Sequence, residues 1–192
     1  LKKTKANYVL VPQYTDIYEK KEQTKFKISK KDRIMCAKFR PGHFEGVLDV
    51  ISRYLLKIKV KSMFLGEKDY QQFFIIKKYI KDKFNVKIIN CKTIRHNNLR
   101  AYSSRNRLLK KKHLYRSDNI SKILKSFRQS IIKKFNNKDN IFKILEKIKK
   151  FNIIIEYLEI RNKNNLSLKF NRKNFKIFIA YYISKVRIID NF

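Results

Sequence analysis

The stretch Gly66-Glu67-Lys68-Asp69-Tyr70-Gln71-Gln72 gathers a glycine, a lysine, two acids and two glutamines within seven residues. The apolar segment Met63-Phe64-Leu65 runs into it. Behind it, the spacing of Tyr70, Phe73, Ile76, Ile80 and Phe84 predicts a helix. A turn between a strand and a helix start presents unpaired N–H groups at the positive end of the helix dipole, which suits a phosphate-bearing ligand. Lys68 adds a full positive charge. Glu67 and Asp69 have two readings: a carboxylate pair for acid–base chemistry, or acids that the dipole favours at any helix start. Gln71 and Gln72 bind substrate or form ordinary helix surface, and one of them is expected to face a ligand.

A second polar cluster is Ser103-Ser104-Arg105. Two hydroxyls and a forked guanidinium form a compact anion-binding set. The plainer reading is a helix N-cap with a surface arginine beside it. His43, in Arg40-Pro41-Gly42-His43-Phe44, is either a general acid or phosphate contact, or a structural turn residue. Neither Cys36 nor Cys91 forms a CxxC, and both are expected in the core. His43, His96 and His113 have no metal-ligand spacing with them, so no protein-held metal is expected. The chain has three glycines, Gly42, Gly46 and Gly66. In a chain so poor in glycine, they are expected to mark positive φ or a close ligand approach.

These residues need a scaffold. Tyr8 to Val11, closed by Pro12, reads as a buried parallel strand. Phe26 to Ile28 alternates like an edge strand. Phe44, Val47, Leu48, Ile51 and Leu55 predict a helix after the Gly42 turn. Val60 to Leu65, the helix from Tyr70, and Val86 to Thr93 make a βαβ unit and hence a parallel sheet, with ligands at the carboxyl ends of its strands. The polar loop Arg95 to Arg105 lies at that same end. Ile120, Leu124, Phe127, Ile131 and Phe135 predict a long helix, and Asn136 to Asn140 a break. Ile141, Leu145 and Ile148 predict a shorter helix. Strands are expected at Ile153 to Ile160, Lys176 to Tyr182 and Val186 to Ile189. The fold class is therefore α/β: an incomplete Rossmann-like parallel sheet over residues 1–108, then a small α+β domain over 109–192.

Composition bounds the partners. The 192 residues carry 49 Lys and Arg against 15 Asp and Glu, a net charge of +34, with 43% hydrophobic residues. That charge admits a basic nucleic-acid-binding protein. The crowding of Lys, Ile, Asn, Phe and Tyr also fits an A/T-biased genome, and the lysines are spread rather than striped. No apolar run approaches the ~20 residues of a membrane span. Leu1-Lys2-Lys3-Thr4-Lys5 leads into a short strand with no signal-peptide core. A cytoplasmic location is the expectation.

Arg40-Pro41-Gly42-His43-Phe44-Glu45-Gly46-Val47, then Gly66 to Gln72, then Ser103-Ser104-Arg105-Asn106 resemble pantothenate synthetase, the pantoate–β-alanine ligase family, in identity, order and spacing. Val186 to Asn191 is similar to that family's terminal strand. The resemblance implies an ATP-dependent ligase with a Rossmann-like nucleotide domain and a smaller C-terminal lid. It implies ATP and Mg2+ as cofactors, pantoate and β-alanine as substrates, and a homodimer. By motif, Gly66, Glu67, Lys68 and Asp69 match the ATP-binding turn, and Gln72 the pantoate-binding glutamine. Tyr102, Ser103, Ser104 and Arg105 match the second ATP-binding loop, and Ile94 the adenine contact. Lys68 and Arg105 would be the catalytic pair.

Departures accompany these matches. The family's first strand and its HxGH-type turn have no counterpart here, so part of the nucleotide site is expected outside this chain. Asn98-Leu99-Arg100-Ala101 replaces the usual Asp-Gly-Leu-Ala, and Ala37 and Ser184 replace glycines. An inactive remnant of the ligase is the other alternative.

Overall fold

The structure, a computed structural model, describes residues 6–18, 26–133 and 138–192, with the backbone alone at 138–140. The chain divides into two compact units. One comprises Leu1–Met63 and Phe74–Ile89, the other Phe64–Phe73 and Asn90–Phe192.

In the first unit, a short α1 (Tyr14–Ile17) and α2 (Cys36–Phe39) precede α3 (His43–Lys57). Gly42 opens α3 in the left-handed region, at φ 78°. There a side chain would be strained, and glycine is not. Phe44, Leu48 and Leu55 face inward at helical spacing, as the pattern predicts, and Ser52 is buried among them with its hydroxyl on the Asp49 carbonyl at 2.8 Å. Two expected strands are not strands. Tyr8 to Val11 has no regular secondary structure and is exposed, with Tyr8 at 95% and Val11 at 82%. No strand lies beside it among the described residues, and a strand exists only through its ladder partner. Phe26 to Ile28 is likewise irregular, although Ile28 is buried.

β1 (Ser62–Gly66), α4 (Tyr70–Ile80) and β2 (Lys87–Cys91) form the strand–helix–strand unit that the sequence predicts, and β1 and β2 pair in a two-stranded parallel sheet. Ile75, Ile76 and Ile80 of α4 are fully buried.

In the second unit, α5 (Lys111–Lys133) and α6 (Lys138–Lys149) lead into β3 (Ile154–Asn162), β4 (Phe175–Ile183) and β5 (Val186–Asn191). The expected break over Asn136 to Asn140 lies partly outside the described residues, and 138–140 are already helical. The three strands form an antiparallel sheet in the order β3-β4-β5, with Ile179 opposite Leu158 on one side and Asp190 on the other. Period-2 alternation places Ile177, Ile179, Tyr181 and Ile183 on one face. That face packs on Ile120, Leu124, Phe127 and Ile131 of α5 and on Ile144 and Ile148 of α6. Burial of this kind is worth ~25 cal/mol per Å2 of apolar surface, so this cluster is the main source of stability in the unit.

α5 starts well before its apolar stripe. Its first half buries Ser117 and Asp118, which have partners: the Ser117 hydroxyl meets the Tyr181 hydroxyl at 2.8 Å, and Asp118 pairs with Arg100. Apolar periodicity cannot reveal a helix face that is polar and satisfied.

The first unit has its own buried polar anchor. Asp32 is 7% exposed and accepts from the Ser29 hydroxyl (2.8 Å), the Lys78 ammonium (2.8 and 3.1 Å) and the Tyr79 hydroxyl (2.6 Å). Burial pushes its carboxyl up, but the bonds from Lys78, Tyr79 and Ser29 outweigh this and hold it below the ordinary 3.8. A carboxyl depressed by folding contributes stability that is complete above its unfolded pKa and lost as pH falls through its folded pKa. Asp32→Asn is expected to cost about 1–3 kcal/mol at neutral pH. The gap between variant and wild type should close as pH drops below about 4, as read by melting curves across that range.

Candidate functional site

β1 ends at Gly66, and one 3-10 turn, Glu67–Asp69, leads directly into α4 at Tyr70. The helix start is fixed by Tyr70. Its hydroxyl donates to the Lys163 carbonyl at 2.8 Å, and its ring packs on Phe178 with centroids 5.9 Å apart. Of the two glutamines, Gln71 is buried and Gln72 is half-buried. The Lys68 ammonium is 3.7 Å from the exposed Asp69 carboxylate. Glu67 points elsewhere: its carboxylate takes the Lys176 ammonium at 2.9 Å. Lys176 is desolvated, and this lowers its pKa despite the opposing bond from Glu67. Gly66 itself is extended, at φ −70°, and a Cβ there would meet only open space. Gly46 lies inside α3, also with nothing close. Of the three glycines, only Gly42 has the positive φ that scarcity led us to expect.

The second segment is a tight hairpin-like loop. Tyr102 N–H donates to the Ile94 carbonyl (3.1 Å), Arg95 bridges Ala101, and His96 N–H donates to the Arg100 carbonyl (2.9 Å). Ile94 and Tyr102 are thus neighbours at its base and both exposed, with the Tyr102 ring stacked on His96 at 3.7 Å between centroids. Ser103 caps the 3-10 turn Ser104–Leu108, its hydroxyl accepting from Arg105 N–H at 3.3 Å. Ser104 is exposed. Arg105 is not a loose surface arginine: one guanidinium nitrogen donates to the Arg187 carbonyl at 3.0 Å. Two buried aspartates hold the loop from outside. Asp118 of α5 accepts from Arg100 and from the Asn98 amide, and Asp190 of β5 takes Arg95 in a forked pair at 2.8 and 2.8 Å.

All ten sequence-derived candidates, from Gly66 to Arg105, belong to the second unit. The last strand links them. Asn191, 3% exposed, donates its side-chain amide to the carbonyls of Glu67 (2.8 Å) and Lys68 (2.9 Å). Asp190 holds Arg95, and the Arg187 carbonyl holds Arg105. Sequence reasoning missed Lys176, Asp190 and Asn191. The visible signal was an Asp-Asn pair closing an apolar strand, where unpaired polar groups would be costly to bury. His43 begins α3 in the other unit, with its ring against Phe44. Cys36 is buried as expected, whereas Cys91 is exposed at the end of β2, where the strand leaves the sheet.

The family model for pantoate–β-alanine ligase matches residues 1–192. The chain belongs to the pantoate–β-alanine ligase family. It is 38% identical over 196 residues to a bifunctional pantoate ligase/cytidylate kinase of Prochlorococcus marinus, covering 97% of this chain and 37% of that protein. The pantothenate synthetase of Thermus thermophilus shares the fold at a TM-score of 0.84 and 23% identity, over 94% of this chain and 67% of that one. The pantoate–β-alanine ligase of Francisella tularensis, in a structure complexed with beta-gamma ATP and β-alanine, is 34% identical with a TM-score of 0.69, over 87% and 56%. The chain thus spans between about a third and two thirds of the length of these relatives.

Two departures from the family pattern keep the backbone that glycine would give. Leu99, where the pattern has glycine, lies at φ 71°, and its carbonyl accepts from Arg95 at 2.7 Å. Ser184, in the β4–β5 turn, lies at φ 55° and is exposed. A left-handed L-residue is strained by about 1–2 kcal/mol. Ser184→Gly removes the strain without loss of packing, so it should stabilise the hairpin that carries β5 by about 0.5–1 kcal/mol after the entropy cost of glycine. Thermal melts of the two chains check this.

Proposed function

We propose that this chain forms one wall of an adenylate-forming site that joins pantoate to β-alanine. The observation that carries the reading is the common anchoring of the Gly66–Gln72 turn and the Ile94–Arg105 loop on β5. These are the two segments that the family resemblance assigns to ATP. Family membership and the ATP and β-alanine in the Francisella structure support it.

The residues fit ATP by chemistry. Lys68 and Arg105 bring two positive charges, Ser103 and Ser104 bring hydroxyls, and Gly66 leaves its flank open. Ile94 and Tyr102 offer exposed apolar surface to a base. A pantoate carboxylate oxygen, oriented by Gln72, attacks the α-phosphorus as the bond to pyrophosphate breaks. Lys68 and Arg105 then offset negative charge growing on the phosphates, which is stabilisation aimed at the transition state. The β-alanine amine next attacks the activated acyl carbon. AMP leaves, and the amine loses a proton as the amide forms. Among the described residues no three His, Cys, Asp or Glu side chains come together to hold a metal. Magnesium would therefore be held chiefly by phosphate oxygens, lowering their charge. The opposite wall, which the family resemblance assigns to an HxGH-type turn, is not among these 192 residues. A homodimer in the cytoplasm completes the proposal. No helix among the described residues is long and apolar enough to cross a membrane.

Supplied with the HxGH-bearing segment of a relative, the chain should release pyrophosphate only when ATP and pantoate are both present. Absence of turnover in that reconstituted enzyme would sink the reading. In the same assay Lys68→Ala should slow adenylate formation about 10²–10³-fold, the usual effect of removing one transition-state donor, with the melting temperature nearly unchanged. Wild-type rates would remove Lys68 from its role.

A further inference from the structure

Asn191 has no polar atom to spare. Its side-chain amide donates to the Glu67 and Lys68 carbonyls, and its side-chain oxygen accepts from Lys176 at 2.9 Å. Its backbone N–H donates to Asp190 Oδ1 at 2.8 Å, and its carbonyl accepts from Arg95 at 2.8 Å. Lys176 closes a ring by pairing with Glu67, and its ammonium lies 5.1 Å from the centre of the Tyr70 ring. One buried residue therefore touches both site segments, the turn through its side chain and the loop through its backbone.

We infer that Asn191 and Lys176 are positioning residues that lock the Gly66–Asp69 turn to the Arg95–Arg105 loop, so that the two segments move as one body. The physical reason lies in the partners. Both carbonyls that Asn191 binds belong to the 3-10 turn Glu67–Asp69, so its side chain ties the last strand to that turn directly. Glu67, which the family motif points toward the nucleotide, is already committed to Lys176. Its part is to hold the turn's shape rather than to meet a ligand. A turn that drifts by an ångström from its loop misplaces Lys68, and misplacement on that scale costs about 10²-fold in rate. The inference rests on the ligase reading for its ligand, but not for the mechanical coupling.

Two variants of the full chain test it. Asn191→Asp keeps the size and an acceptor for Lys176 but loses the donor to both carbonyls. Arg95→Lys keeps the charge but loses the fork to Asp190. Backbone hydrogen exchange is followed at Lys68–Tyr70, at His96–Tyr102, and at Leu124–Phe127 of α5 as an internal reference. Each variant is expected to speed exchange about tenfold more in both site segments than in α5. A variant that loosens only the segment it touches overturns the coupling, as does no change in either. Titration with ATP separates the ligand from the mechanics. Wild type that binds ATP, with Asn191→Asp about tenfold weaker at a temperature where both chains are fully folded, supports a positioning role; equal affinities overturn it. Wild type that fails to bind ATP counts against the ligase reading, while the exchange result still decides the coupling.

Discussion

Asp190 and Asn191 end β5 as buried polar residues, 7% and 3% exposed. Burying a carboxylate costs several kcal/mol unless it is paired and hydrogen-bonded, so the chain around it is constrained to bring donors. Arg95 brings a forked pair, and Asn191 brings its own N–H. Once Arg95 is fixed, so are the loop that carries it and the Leu99 carbonyl it binds. Once Asn191 is fixed, its amide has two directions left, and both meet the turn after Gly66. The geometry of the candidate site is thus a consequence of satisfying two residues at a strand end. The apolar cluster between the sheet and α5–α6 supplies the free energy. It does not choose where the loops go, because apolar contact is non-directional.

The same constraint explains how the loop survives the loss of its glycine. Leu99 at φ 71° is strained, yet Asn98 and Arg100 on either side are held by the buried Asp118, and Arg95 grips the Leu99 carbonyl. Such strain persists only where the surroundings over-determine the backbone. Asn85, Asn152, Leu166 and Ser184 also take positive φ. In this chain a left-handed turn is therefore not announced by glycine. Positive φ, one of the two backbone demands expected of the scarce glycines, is met by Gly42 and not by Gly46 or Gly66.

What could be read from the sequence was what is local or periodic. The strand–turn–helix around Gly66, the alternation along β4 and the stripe from Ile120 to Ile131 each follow from side-chain spacing. The candidate residues came from motif, and the structure gathers their two segments on one strand. The expected strand over Tyr8 to Val11 was legible only as apolar character, because pairing depends on distant partners. The ring of Asn191, Lys176 and Glu67 was illegible because it joins positions 67, 176 and 191, and no local pattern marks it. Glu67 shows the limit most clearly. As a motif residue it reads as a ligand contact, and nothing local marks the pairing of its carboxylate with Lys176.

The charge imbalance takes on a different meaning beside these contacts. With 15 acids against 49 basic residues, the acids are the scarce partner. The buried ones are placed where they tie separate segments: Asp32 to Lys78, Asp118 to Arg100, Asp190 to Arg95. Glu156 does the same between β3 and β5 by pairing with Arg187, whose carbonyl then receives Arg105. Ion pairs of this kind rarely add net stability over an apolar core, but they specify which groups meet, since a wrong partner leaves a charge buried and unpaired. The few acids decide the register of the loops, and through Arg95 and Arg187 they decide where the Ile94–Arg105 loop stands.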